Sequence, residues 1–153
     1  MKSACIFYID DDVDDIGIFN ECAESLGHRS ISYSEPNEFI NRLKNPPPAA
    51  DIVMVDLNMP STSGYDVIRE IRNTPSLSKL PVIVHSTASD THSIQMSREV
   101  GATMYIRKPA SYSGMKKTIM HVTSINWRTF KTRDDNFYYS PDLPRPKNPA
   151  FYV

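Results

Sequence analysis

The chain has 153 residues, a net charge of −1 and a pI of about 6.4, enough for one domain with a real core and too little for two. It carries no broad basic footprint for nucleic acid, no apolar stretch near the roughly 18 residues of a membrane span, and no secretion signal after Met1-Lys2-Ser3-Ala4. Cys5 and Cys22 are too few for a disulfide framework and read as buried thiols in a reducing compartment, so a soluble cytoplasmic protein is expected.

Apolar runs of strand length alternate with helix-length segments, the pattern of a parallel α/β sheet. The first strand is expected over residues 4–9 and the first helix over 13–26, with Ile16, Phe19, Ala23 and Leu26 at helical spacing and Gly27 as its stop. Residues 30–34 read as a second strand. Pro36 suits the first turn of the next helix, whose buried side is Phe39, Ile40 and Leu43. Pro46-Pro47-Pro48 cannot continue that helix and make a rigid connection. The third strand, 51–55, is apolar from Ile52 to Val55 and is therefore expected to be central. A Pro/Ser/Gly loop covers 57–64 and a helix 65–72. The fourth strand is expected over 81–85, a helix capped by Asp90 over 90–100, the fifth strand over 102–106 and the last helix over 112–127.

After Trp127 the composition changes. Residues 128–153 hold Pro141, Pro144, Pro146 and Pro149 with six aromatics and no period of 2 or 3.6. Disordered tails are poor in aromatics, so Phe137 to Tyr139 are expected to pack on the domain near the last helix. The expected division is a domain over 1–127 and a tail over 128–153.

Three apolar runs end in chemistry: Asp10-Asp11-Asp12 after the first, Asp56 after the third and Lys108-Pro109 after the fifth. Parallel strands bring such ends to one sheet edge, where ligands gather. Magnesium takes oxygen ligands and keeps several waters, so two or three carboxylates suffice for it. Such a cation beside a carboxylate suits phosphoryl transfer, with a lysine to pair with the acid and a strand-end hydroxyl, Ser86 or Thr87, for a phosphoryl oxygen. Asp12, Asp14 and Asp15 read as first-turn acids favoured by the helix dipole. His85, His28, His92 and His121 read as packing residues.

Ile9-Asp10-Asp11-Asp12, Val55-Asp56-Leu57-Asn58-Met59-Pro60 with Gly64, Ser86-Thr87-Ala88 and Tyr105-Ile106-Arg107-Lys108-Pro109 resemble the motifs of a response-regulator receiver domain, over residues 3 to 127. The resemblance implies a doubly wound, flavodoxin-like sheet of five parallel strands, order 2-1-3-4-5, with helices on both faces. It implies Asp56 as phospho-acceptor, a Mg²⁺ site of Asp10, Asp11, Asp56 and the Asn58 backbone carbonyl, Lys108 as the conserved lysine with a cis peptide to Pro109, and Ser86 and Tyr105 as the switch pair. The function implied is that of a single-domain regulator. It would be phosphorylated by a histidine kinase or phosphotransfer protein, dephosphorylate itself slowly, and act through a downstream protein, with no nucleic acid or membrane involved.

Other readings compete with this one. A phosphorelay shuttle would share the fold. A degenerate receiver acting by constitutive binding sits badly with a complete constellation. A haloacid-dehalogenase-type phosphatase would make Asp10 the nucleophile and Asp12 the general acid, leaving Asp56 unexplained and lacking a cap. The Asp10-x-Asp12-x-Asp14 spacing also mimics a calcium loop, but Asp15 stands where that loop's turn needs glycine.

Overall fold

Strands form where the apolar runs lie, because β-branched and aromatic side chains suit a pleated surface covered on both faces. In the computed structural model, whose described residues are 2–142, these are β1 (Cys5–Ile9), β2 (Arg29–Tyr33), β3 (Ile52–Val55), β4 (Val82–Ser86) and β5 (Met104–Arg107). The connecting helices are α1 (Val13–Ser25), α2 (Pro36–Lys44), α3 (Gly64–Asn73), α4 (Thr91–Glu99) and α5 (Tyr112–Ser124). A short β6 (Tyr138–Tyr139) follows, and the sheet runs β2-β1-β3-β4-β5-β6 with every pairing parallel. The expected five-strand order is present, with one strand added beyond β5.

Alternation along the strands divides the core. Phe7, Ile9, Val53, Val55, Val82 and Val84 face α2 and α3, packing on Phe39, Ile40, Val67, Ile68 and Ile71. Ile6, Tyr8, Met54, Ile83 and Ile106 face α1 and α5, packing on Phe19, Cys22, Ala23, Met115, Ile119 and Val122. Both faces are covered, as a parallel sheet requires.

The helix starts follow local chemistry. Asp12, Glu35, Ser63, Asp90 and Ser111 are the N-caps, each side chain accepting a first-turn amide. Two expectations need correction beyond a residue at an element's end. The last helix stops at Ser124 rather than Trp127, since Ile125 is extended (ψ 136°) and the Trp127 indole N–H donates to the Val122 carbonyl at 2.9 Å, satisfying a group the helix leaves open. The cis peptides among the described residues are Pro46–Pro47 and Pro47–Pro48, so Lys108–Pro109 is trans. The turn there is held by a tail contact instead, the Ala110 amide donating to Asp142 Oδ2 at 3.1 Å.

Arg72, which no motif singled out, ties α3 to the segments that lead into β4 and β5. Its guanidinium donates to the carbonyls of Gly101, Ser78 and Leu80 and to the Thr103 hydroxyl, at 2.7–3.1 Å. Gly64 answers a second packing demand, since a Cβ there would lie 2.2 Å from the Asp56 carbonyl oxygen and 2.8 Å from Leu57 Cα. Backbone cannot yield as a side-chain tip can, so Gly64→Ala is expected to cost about 2–3 kcal/mol, typical of forced overpacking. Urea unfolding checks this; a midpoint equal to wild type would show that α3 shifts freely.

Candidate functional site

The sheet's last backbone hydrogen bonds run through the residues singled out at its edge. Asp10 N donates to Tyr33 O (3.2 Å), Asp56 N to Ile9 O (3.0 Å) and Lys108 N to Ser86 O (2.8 Å). The acids and the lysine are therefore held by the sheet itself and not by mobile loop backbone.

Asp10, Asp11 and Asp56 each offer a carboxylate oxygen within 4.8 Å of the others. Asp10 and Asp56 are buried and Asp11 is exposed, so the cluster opens toward solvent on one side. Lys108 Nζ lies 2.7 Å from Asp10 Oδ2, 3.0 Å from Asp15 Oδ2 and 3.7 Å from Asp56 Oδ1. Asp12 is the N-cap of α1 rather than a first-turn acid, and Asp15 does more than favour a helix dipole because it shares the lysine. Asn58 is exposed and its amide donates to the Asp56 carboxylate.

The electrostatics are those of acids crowded into a pocket. Burial, with Asp10 and Asp11 adding repulsion, pushes the Asp56 carboxyl up to about 7 against the pull of Lys108 and the Asn58 amide. Asp10 goes the other way. Burial opposes its charge, yet hydrogen bonds from Lys108, Tyr8 and the Asp12 amide outweigh it and hold the group below its ordinary value. Burial also works against the Lys108 charge, but Asp10, Asp56 and Asp15 keep the ammonium well above its ordinary range. An all-oxygen donor set with unrelieved negative charge suits a hard divalent cation.

Ser86, at the end of β4, is fully buried, and its Oγ accepts the Ala88 amide at 3.2 Å. Tyr105 on β5 donates its hydroxyl to the Ala88 carbonyl at 2.7 Å and hydrogen-bonds the Ser86 side chain; burial pushes its phenol up to about 12. The hydroxyl, the loop after β4 and the aromatic thus form one connected set. Thr87 is exposed. His85 is fully buried and on the opposite face, as the alternation predicts. His28 is also buried, whereas His92 is exposed and packs no core.

Sequence reasoning missed the neighbours of this set. The Tyr105 ring packs against Tyr138 of β6 (centroids 5.9 Å apart), Tyr105 N donates to Phe137 O at 2.7 Å, and Phe137 is buried in the α2/α3-side core. The aromatics of residues 137–139 do pack on the domain. They reach α5 through Tyr139, stacked on His121, but their main seat is the β5 edge. Pro144, Pro146, Pro149, Phe151 and Tyr152 lie outside the described residues.

A family model of the response regulator receiver domain matches residues 6–120. Chemotaxis protein CheV1 of Helicobacter pylori is 28% identical over 110 residues, covering 70% of this chain but only 34% of that protein. The chain thus spans about a third of that relative's length. Among solved structures, the chemotaxis response regulator CheY4 of Vibrio cholerae superposes with a TM-score of 0.71 at 20% identity, over 79% of this chain and 99% of its own. The Mn(2+)-bound form of response regulator Rcp1 superposes with a TM-score of 0.69 at 21% identity, over 85% and 99%. No helix among the described residues is long and apolar enough to cross a membrane. With residues 6–120, most of its length, matched to one family model, the chain belongs to the response regulator receiver domains of two-component signalling.

Proposed function

We propose that this receiver accepts a phosphoryl group on Asp56 from a histidine kinase or phosphotransfer protein in the cytoplasm, with Mg²⁺ in the acid cluster, and signals by phosphorylation-dependent binding of a partner protein. The observation that carries this reading is the meeting of Asp10, Asp11 and Asp56 within 4.8 Å, with Lys108 Nζ 3.7 Å from Asp56 Oδ1. Asp10, Asp11, Asp56 and the Asn58 backbone carbonyl would hold the metal. A bound magnesium ion would neutralise the phosphoryl oxygens and keep them in line for attack. The Mn(2+)-bound state of Rcp1 supports a divalent cation in this fold.

The protein's own groups then do the following. An Asp56 carboxylate oxygen attacks the phosphorus of a phosphohistidine; the O–P bond forms as the P–N bond breaks, and the imidazole leaves with that electron pair. Lys108 follows the charge from the acids to the phosphoryl group. The Ser86 hydroxyl turns to a phosphoryl oxygen, leaving the Ala88 amide and Tyr105. Tyr105 and the loop after β4 are thereby freed to settle into a second arrangement that partners read. Slow attack of water on the acyl phosphate returns the carboxylate and inorganic phosphate. The chain acts as a signalling module whose chemistry is its own phosphorylation and slow dephosphorylation.

Intact-mass measurement after incubation with acetyl phosphate and Mg²⁺ tests the acceptor. Wild type is expected to gain one phosphoryl group and Asp56→Asn none. Equal labelling of both sinks the assignment, and a label on Asp10 would favour the phosphatase reading.

A further inference from the structure

Two buried polar side chains stand behind the acid cluster. Tyr8 of β1 and His85 of β4 are fully buried on the α1/α5 face, their rings 5.6 Å apart and both near Phe19. Strand β3 lies between β1 and β4, so the two side chains meet across it. The Tyr8 hydroxyl is 3.0 Å from His85 Nδ1 and 2.5 Å from Asp10 Oδ2. The other imidazole nitrogen, Nε2, has no hydrogen-bond partner among the described residues. A buried unpaired polar atom costs about 1–3 kcal/mol, which a leucine at the same place would avoid. Packing alone does not account for a histidine here.

Counting protons orients the chain of contacts. The Tyr8 hydroxyl has one proton, and Asp10, an ionised carboxylate, can only accept. That proton therefore points to Asp10, and His85 donates from Nδ1–H to the phenol oxygen. Burial keeps the imidazole neutral, pulling it down to about 3. Asp10 Oδ2 thus carries two donors, Tyr8 and Lys108 Nζ, while Oδ1 carries the Asp12 amide at 3.0 Å. Of the roughly four acceptor directions of a carboxylate, the one left open is on Oδ1.

We propose that Tyr8 and His85 are positioning residues for the metal site: His85 Nδ1–H orients the Tyr8 hydroxyl, and the hydroxyl locks Asp10 so that Oδ1 faces the cation. This rests on the metal reading given above. Partners that orient a ligating side chain are worth about 10–100-fold in metal affinity, and the lower end applies because Lys108 still holds Oδ2.

The test is a Mg²⁺ titration of wild type, Tyr8→Phe, His85→Leu and His85→Asn, read from the backbone amide shifts of residues 10–12 and 56–58, with thermal melts in chelator alongside. Loss of packing and loss of positioning both lower the melting temperature; only loss of positioning weakens the metal. Tyr8→Phe is expected to bind Mg²⁺ about tenfold more weakly, and His85→Leu several-fold more weakly. His85→Asn places an amide N–H where Nδ1–H stood and should regain most of the affinity. Wild-type affinity in Tyr8→Phe overturns the proposal, and equal weakening by His85→Leu and His85→Asn overturns the orienting role of His85. If Tyr8→Phe does not fold, the two His85 variants decide by the same comparison. Amides that ignore Mg²⁺ in wild type would remove the metal reading itself, and this proposal with it.

Discussion

Replacing Asp56 by Asn is expected to stabilise the metal-free protein at pH 8. Burial, with repulsion from Asp10 and Asp11, holds the Asp56 carboxyl at about 7 in the fold, against 3.8 for an ordinary aspartate. Below pH 4 the group is largely protonated in both folded and unfolded chains and contributes little. Between 3.8 and 7 the unfolded chain is ionised while the fold still holds the proton, so stability falls as pH rises; above 7 the penalty is complete. Its full size is about 4 kcal/mol. That figure already includes the attraction to Lys108; burying an asparagine amide among the acids gives part of it back, which leaves a net gain of about 1–3 kcal/mol, or roughly 3–10 °C in melting temperature. Asp10 does not blur this window, because its depressed carboxyl loses stability only at more acid pH and is common to both proteins.

The gain should therefore be full at pH 8 and fade toward pH 4. Saturating Mg²⁺ should narrow it from the other side, since metal bound to the native wild type stabilises it by mass action. Melts of both proteins at several pH values, with chelator and with Mg²⁺, give the answer. A wild type that melts as high as Asp56→Asn at pH 8 in chelator would contradict the account of the site as crowded, unrelieved acids.

The tail carries the second large effect. Phe137 is 2% exposed and sits in the same core cluster as Tyr105, Val84 and Ile71. The Arg98 guanidinium lies over its ring at 5.7 Å and also pairs with Asp134. Thr132 donates its hydroxyl to the Thr103 carbonyl at 2.8 Å, so residues 132–142 are fastened at several points along β5. Truncating a buried phenylalanine to alanine costs about 3–5 kcal/mol, and Phe137→Ala should lower the melting temperature by roughly 6–15 °C. Deleting everything after Trp127 should do at least as much, because it also bares the β5 edge and its unpaired backbone groups. Calorimetry with limited proteolysis checks both. A truncated chain as stable as the full one would mean that β6 rests on the sheet without holding it.

The site was legible in the sequence to the extent that its chemistry is local. Asp10 and Asp56 follow an apolar run directly, Asp11 and Lys108 come one residue later, and parallel pairing brings such ends together whatever the details of packing. The order of the five central strands follows from the resemblance, and the structure has it. Helix starts were readable where a side chain caps its own first turn, as at Asp90. The last helix was read three residues too long because Ile125 and Trp127 continue its apolar spacing. Periodicity does not register that the backbone has turned away at Ile125 and that the indole closes the end.

What the tertiary structure alone decided are contacts between segments with no periodic signal to join them. A two-residue strand has no period, so β6 could be expected only as aromatic surface in search of cover, and its seat was set by the free edge of β5. Asp15 looked like one first-turn acid among several until the end of β5 brought Lys108 to 3.0 Å. Tyr8 and His85 read as core residues of two separate strands. Only the order of the sheet, with β3 between them, places the hydroxyl of one against the imidazole of the other and against Asp10. Local propensity and hydrophobic period determine which elements form and which face is buried; a hydrogen bond between strands 77 positions apart is decided by how those elements pack.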